Sequence, residues 1–146
     1  MKKFRFSLDA ALRLREAQLR MEESKLKELL AGEQRLRRSL GALYAERHDA
    51  GNYVCQHSGD PLAIRTLPGY VLGLGMRRAN LTQSLDEITV AICEQRQRVA
   101  VLERAVKLLT KLREKRHAEW QLGVDREIEA TAQECWLAMH SDLGKA

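Results

Sequence analysis

Proline and aromatic residues are scarce in this chain: 2 prolines among 146 residues, and only 5% Phe, Trp or Tyr. Little proline leaves long helices uninterrupted. Few aromatics within a 45% apolar composition argue against most all-β designs. Disorder is excluded by the apolar content, and collagen by a total of 9 glycines. Cysteine is sparse as well. Cys55, Cys93 and Cys135 are widely spaced and odd in number, which fits a reducing compartment, the cytoplasm, rather than a disulfide framework. No apolar run approaches the roughly 18 to 20 residues needed to cross a bilayer, and no apolar stretch of secretory type follows Met1-Lys2-Lys3. The expectation is a soluble protein.

Enzyme motifs are also missing. Cys55 and His57 form a lone C-x-H pair without the companions that zinc requires, and His48, His117 and His140 have no partner that resembles a catalytic dyad. Gly69, Gly73 and Gly75 have neither a preceding strand nor the Gly-Lys-Ser/Thr of a phosphate loop. No catalytic residue, cofactor or metal is expected.

Charge is abundant: 25 Lys plus Arg against 20 Asp plus Glu, net +5. The signs are interleaved, so the excess reads as a solvated helix surface more readily than as a nucleic-acid footprint. The basic run Lys107–Arg116 contains Glu114 and has no aromatic platform. The last 25 residues are net acidic.

Apolar residues follow a 4-3 spacing in two stretches: Leu8, Leu12, Leu19, Leu26, Leu29, Leu36, Leu40 and Leu43, then Leu81, Leu85, Ile88, Ile92, Val99, Leu102, Val106 and Leu109, with Gln95 as the one polar member of the second. Sustained 4-3 spacing keeps one stripe facing one partner and predicts a coiled-coil seam. Both prolines and five glycines fall between Gly51 and Gly75, so the chain breaks once. The reading is an all-α, single coiled-coil domain over 1–146, a long antiparallel two-helix hairpin. Helix one covers about 7–50, a loop or tip region 51–75, and helix two about 76–140. Ser7 is placed to cap helix one, with Asp9 in its first turn. Within 51–75 two outcomes stay open: a tip at roughly Ser58–Leu67 with Gly73 and Gly75 inside helix two, or a loose loop.

In an antiparallel pair, facing residue numbers sum to a constant. A sum of 128 sets Leu8 with Trp120, Leu29 with Val99, Leu36 with Ile92 and Glu33 with Gln95. Sliding one heptad, to 121 or 135, loses about two doubly apolar layers and mates Glu33 with Ile88 or Leu102, so 128 is expected. That register sets Arg15 against Arg113 at the open end. It also leaves the face carrying Val124, Ile128, Ala132, Cys135, Trp136 and Met139 without an intramolecular partner, a candidate docking surface.

The opening Phe4-Arg5-Phe6-Ser7-Leu8-Asp9, followed by Leu12-Arg13-Leu14-Arg15-Glu16, resembles the start of the flagellar export protein FliJ family. Leu109-Thr110-Lys111-Leu112-Arg113-Glu114-Lys115-Arg116, with Glu119-Trp120 after it, is similar to the family's basic stretch and following aromatic. The resemblance implies a fold similar to the central stalk of rotary ATPases. It implies a non-enzymatic adaptor of flagellar type III protein export that binds the hexameric export ATPase, the membrane export gate protein and export chaperones. It would be cytoplasmic, and peripheral to the inner membrane through the export apparatus, with neither nucleic acid nor membrane insertion. By position, Phe4, Arg5, Arg13, Arg113, Lys115, Arg116 and Trp120 would meet the ATPase, and Leu43, Tyr44, Arg47, Tyr70 and Leu74 the gate. Family members commonly end in an acidic Leu-Asp-Glu stretch, whereas this chain has Glu134-Cys135-Trp136-Leu137-Ala138-Met139-His140, so no role is carried beyond about residue 130. The alternatives are the stalk of a virulence-type secretion system, a basic nucleic-acid-binding coiled coil, and a self-associating structural rod.

Overall fold

The structure, a computed structural model, describes residues 3–141. It consists of two helices, α1 (Asp9–Gln56) and α2 (Pro61–Ser141), which pack against each other antiparallel as the 4-3 spacing predicts. Among the described residues there is no strand. Nor is any helix among the described residues long and apolar enough to cross a membrane.

Helix α1 begins at Asp9, not at a Ser7 cap. The Phe6 carbonyl takes the Asp9 amide (3.2 Å) and the Leu8 carbonyl takes the Leu12 amide (2.9 Å). Asp9 does sit in the first turn, where its carboxylate favours the positive helix end, and it pairs with Arg13 at 2.8 Å.

The expected 51–75 tip contracts to the four residues between the helices. The His57 amide still reaches the Tyr53 carbonyl (3.0 Å), and the Asp60 amide closes on the His57 carbonyl (2.9 Å). Asp60 then caps α2 through its Oδ1, which accepts from the Leu62 amide at 2.9 Å, and Pro61 occupies the first helical position, where its missing N–H is harmless. Each glycine held in a helix costs up to about 1 kcal/mol relative to alanine. Covering an apolar side chain returns about 1.5–3 kcal/mol, and Val54, Leu67, Val71 and Leu74 are all at least partly covered. Pro68 lies inside α2. It and Ile64 are both exposed, so the backbone bond that proline removes is lost on the wet side of the helix.

The chain gathers into two compact units, Arg20–Ala100 and the N-terminal segment through Leu19 with the chain from Val101 onward. In the first, four contacts fix the register. The Gln95 side-chain amide donates to the Glu22 carbonyl (3.0 Å) and carboxylate. Ile88 Cδ1 lies against Gly32, the Arg78 guanidinium stands over the Tyr44 ring, and the Tyr70 hydroxyl donates to Glu46. These pairs sum to between 116 and 122, so the 128 pairing is wrong. Its centre would fall at residue 64, inside α2, whereas a turn of four residues centres the hairpin near residue 59. The slipped register also has its own polar match. Gln95, buried at 5% exposure, meets Glu22 in place of Glu33, and Glu33 turns along its own helix to Arg37 at 2.6 Å. That ion pair gives the Glu33 carboxylate, whose side chain is only 18% exposed, a charged partner where the 121 register was expected to mate it with Ile88. Leu74, Ile92 and Val99 are the buried aliphatics here.

In the second unit Leu12 is buried. Leu8 is 40% exposed, and Phe4 lies against Trp120, with ring centroids 5.9 Å apart. Arg15, expected to face Arg113, donates to Gln18 on its own helix at 3.1 Å, and Arg113 is exposed.

Candidate protein-binding surfaces

The N-terminal arm and α2 build an aromatic cluster in the second unit. Phe4 presents its ring edge-on to His117 (5.0 Å, 83°) and lies tilted against Trp120, while His117 and Trp120, one helical turn apart, are 5.6 Å from each other. Such contacts contribute about 0.5–1.5 kcal/mol each beyond area burial, enough to seat a short non-helical arm. Lys3, Arg5 and Ser7 on the arm, with Arg116 and Glu119 on α2, complete a shallow groove of about 640 Å³ around it.

The residues aligned with ATPase contact therefore divide. Phe4, Arg5, Arg116 and Trp120 line this one groove. Arg116 is partly neutralised by Glu119 at 3.6 Å. Arg13 is tied to Asp9, and Arg113 and Lys115 are exposed on α2 outside the groove. Sequence reasoning missed His117, weighed only as a catalytic candidate and set aside. Its spacing of three from Trp120 was the available signal, because residues three apart share a helix face.

In the Arg20–Ala100 unit, Leu43, Tyr44, Arg47 and Leu74 line one groove, joined by Leu40, Val71, Gly75 and Arg78. Its base is apolar and both of its charged members are arginines. Arg78 sits 5.7 Å from the centroid of the Tyr44 ring, a cation–π contact of about 0.5–1 kcal/mol at an exposed site that holds the tyrosine, half-exposed at 49%, in a defined pose. Arg78 and Val71 were not anticipated, since the 128 register set Tyr44 against Ser84.

Tyr70, the fifth residue assigned to this surface, is not in that groove. It lines a different one with Glu46, and its hydroxyl donates to the Glu46 carboxylate. That bond, then loss of hydration and the charge of Glu46, push the Tyr70 pKa above the usual phenol value.

The uncovered face of α2 near the C-terminus is present as anticipated. Val124 is half-buried and the chain from Asp125 through His140 is exposed, including Ile128, Trp136, Leu137 and Met139. Trp136 stacks on His140 at 4.1 Å. Among the described residues no cluster of His, Cys, Asp or Glu is arranged to hold a metal, and Cys55, Cys93 and Cys135 are exposed free thiols.

The chain matches no family model, no curated protein and no solved structure.

Proposed function

We propose that the chain is a non-enzymatic stalk and adaptor of the flagellar type III export apparatus, engaging the hexameric export ATPase and the membrane export gate and assisting chaperones. One observation carries the reading. The two sequence segments that resemble the FliJ family, the Phe4-Arg5-Phe6 arm and the basic run ending at Trp120, lie more than a hundred residues apart in sequence and join in one aromatic and basic cluster. Arginine and aromatic side chains are the usual anchors of protein interfaces, and a basic rim favours acidic groups on a partner. The groove holding Leu43, Tyr44, Arg47 and Leu74 supplies the gate-facing surface, with Arg78 added and Tyr70 left to its neighbour.

The test mixes the purified chain with its cognate export ATPase. Hydrolysis or hexamer formation should rise, and Phe4→Ala/Trp120→Ala should abolish the rise while leaving far-UV helicity intact. A folded chain that leaves the ATPase unchanged would overturn the reading.

A further inference from the structure

A second groove in the Arg20–Ala100 unit differs from the gate-facing one in both shape and charge. At 100° per residue, Ala42, Glu46, Asp49 and Tyr53 fall on one stripe of α1, whereas Leu40, Leu43, Tyr44 and Arg47 fall on another. The first stripe, with Ala63, Thr66, Leu67 and Tyr70 from α2, encloses a groove of about 760 Å³, within the range of ligand clefts, about 300–1,000 Å³. Its floor is of small side chains, Ala45, Ala50 and Ala63, and the two tyrosine rings stand beside it. Tyr53 is held by stacking on His57 (4.3 Å, 22°), and Tyr70 by its bond to Glu46.

The charge around the groove selects the occupant. Glu46 and Asp49 line it and no Lys, Arg or His does, in a chain of net charge +5. Both carboxylates belong to α1, one turn apart, so they face one flank of whatever lies in the groove. An anionic membrane surface or a nucleic acid is repelled there. So is the exposed tail of a second copy, whose Asp125, Glu127, Glu129 and Glu134 outnumber Arg126.

We propose that this groove docks an amphipathic basic helix of another protein, apolar side chains on the alanine floor and lysine or arginine against Glu46 and Asp49. The groove runs along α1 from Ala42 to Val54, about 18 Å at 1.5 Å per residue, which accommodates three turns of a guest helix with anchors at i, i+3 or i+4, and i+7. Alanine on the host side lets the guest backbone approach closely, and the preset tyrosines reduce the ordering cost of binding. The inference does not depend on the export reading, which rests on the other two surfaces.

The probe is a fourteen-residue helical peptide of leucine and lysine with that spacing, titrated into the full chain and followed by methyl NMR, with the leucine and glutamate isomer as control. The lysine peptide should move the Ala45, Ala50 and Ala63 methyl signals, and the glutamate peptide should not. Ala63→Leu, which fills the floor, should weaken binding tenfold or more, and Glu46→Gln/Asp49→Asn should weaken it and flatten its salt dependence. Asp49→Asn alone, at an exposed position, keeps the test open should either of the others fail to fold. Equal binding of both peptides, shifts centred on the Ile128 and Ala130 methyls instead, displacement by self-association, or indifference to Ala63→Leu and to Asp49→Asn would each overturn the proposal.

Discussion

Gly32 and Gly41 sit in the same helix, yet an added methyl group meets different surroundings at each. At Gly41 a Cβ meets nothing within 4 Å, whereas at Gly32 it falls 2.8 Å from Ile88 Cδ1. Alanine in a helix interior is favoured over glycine by about 1 kcal/mol. Gly41→Ala should therefore raise the thermal midpoint by a few degrees, about 2–8 °C, and Gly32→Ala by clearly less, because Ile88 must move. Combining Gly32→Ala with Ile88→Val removes the obstructing carbon, and the gain measured against Ile88→Val alone should approach that at Gly41. Thermal unfolding followed by circular dichroism checks all three, and an equal gain at both glycines in the native background would show that the helices do not approach closely at Gly32.

Gln95 and Glu22 make the second residue-scale case. The Lys25 ammonium, and after it the Gln95 amide, hold the Glu22 carboxyl below the usual carboxylate range. A lowered folded pKa means a contribution fully present above the unfolded value and lost as pH falls through the folded one. Gln95→Glu replaces the donating amide with a second carboxylate. It should lower stability at about pH 7 and lose much of that penalty at about pH 4, where one of the two acids protonates. Exchanging the pair, Glu22→Gln with Gln95→Glu, should restore only part of the neutral-pH stability, because a carboxylate at 95 can accept from the new amide but cannot donate to the residue-22 carbonyl. Urea unfolding at both pH values measures the difference, and a penalty independent of pH would separate Gln95 from Glu22.

At the scale of the helices, a repeating pattern tells which faces meet but not where along their length. The 4-3 spacing made the antiparallel pair legible, because it survives any slide by a heptad. The same property hid the register. Three local features decide it: a turn closed by the Asp60 cap and Pro61, room for Ile88 at Gly32, and the choice of Glu22 over Glu33 as the acid beside Gln95. Counting doubly apolar layers gave Glu33 no alternative to a cross-helix partner, although Arg37 lies one turn away on the same helix. A slip of about ten residues is about 15 Å along the helix axis. Spin labels in a cysteine-free background, justified by three exposed thiols, should report the 35/83 pair as nearest neighbours and the 35/93 pair as farther apart. The opposite order would restore the 128 pairing.

At the scale of the whole molecule, the segments at residues 4–6 and 111–120 were readable because each is a compact motif. The grouping of Leu43, Tyr44, Arg47 and Leu74 came from the family resemblance and not from the pattern, since the 128 register set Tyr44 against Ser84. Separation of Tyr70 from that group was not readable, since it turns on the slip itself, and neither was the acidic groove, whose lining alternates with seam positions along both helices. The apolar face near the C-terminus was readable from spacing, and its exposure from 125 to 140 has an energetic consequence. Isolated helices of this length are marginal in water, since most helical stability in proteins comes from packing, so this segment should exchange its amides fastest within α2. A chain ending at Gln121 should keep the thermal midpoint of the full chain to within about 2 °C, because the removed side chains cover little of the remainder, while losing helical signal in proportion to the residues removed. If the full chain self-associates, sedimentation equilibrium should show the truncated chain as a monomer, since Ile128, Trp136 and Leu137 are gone. A large fall in midpoint for a chain that is monomeric before truncation would instead mean that these side chains fold back onto the rest of the protein.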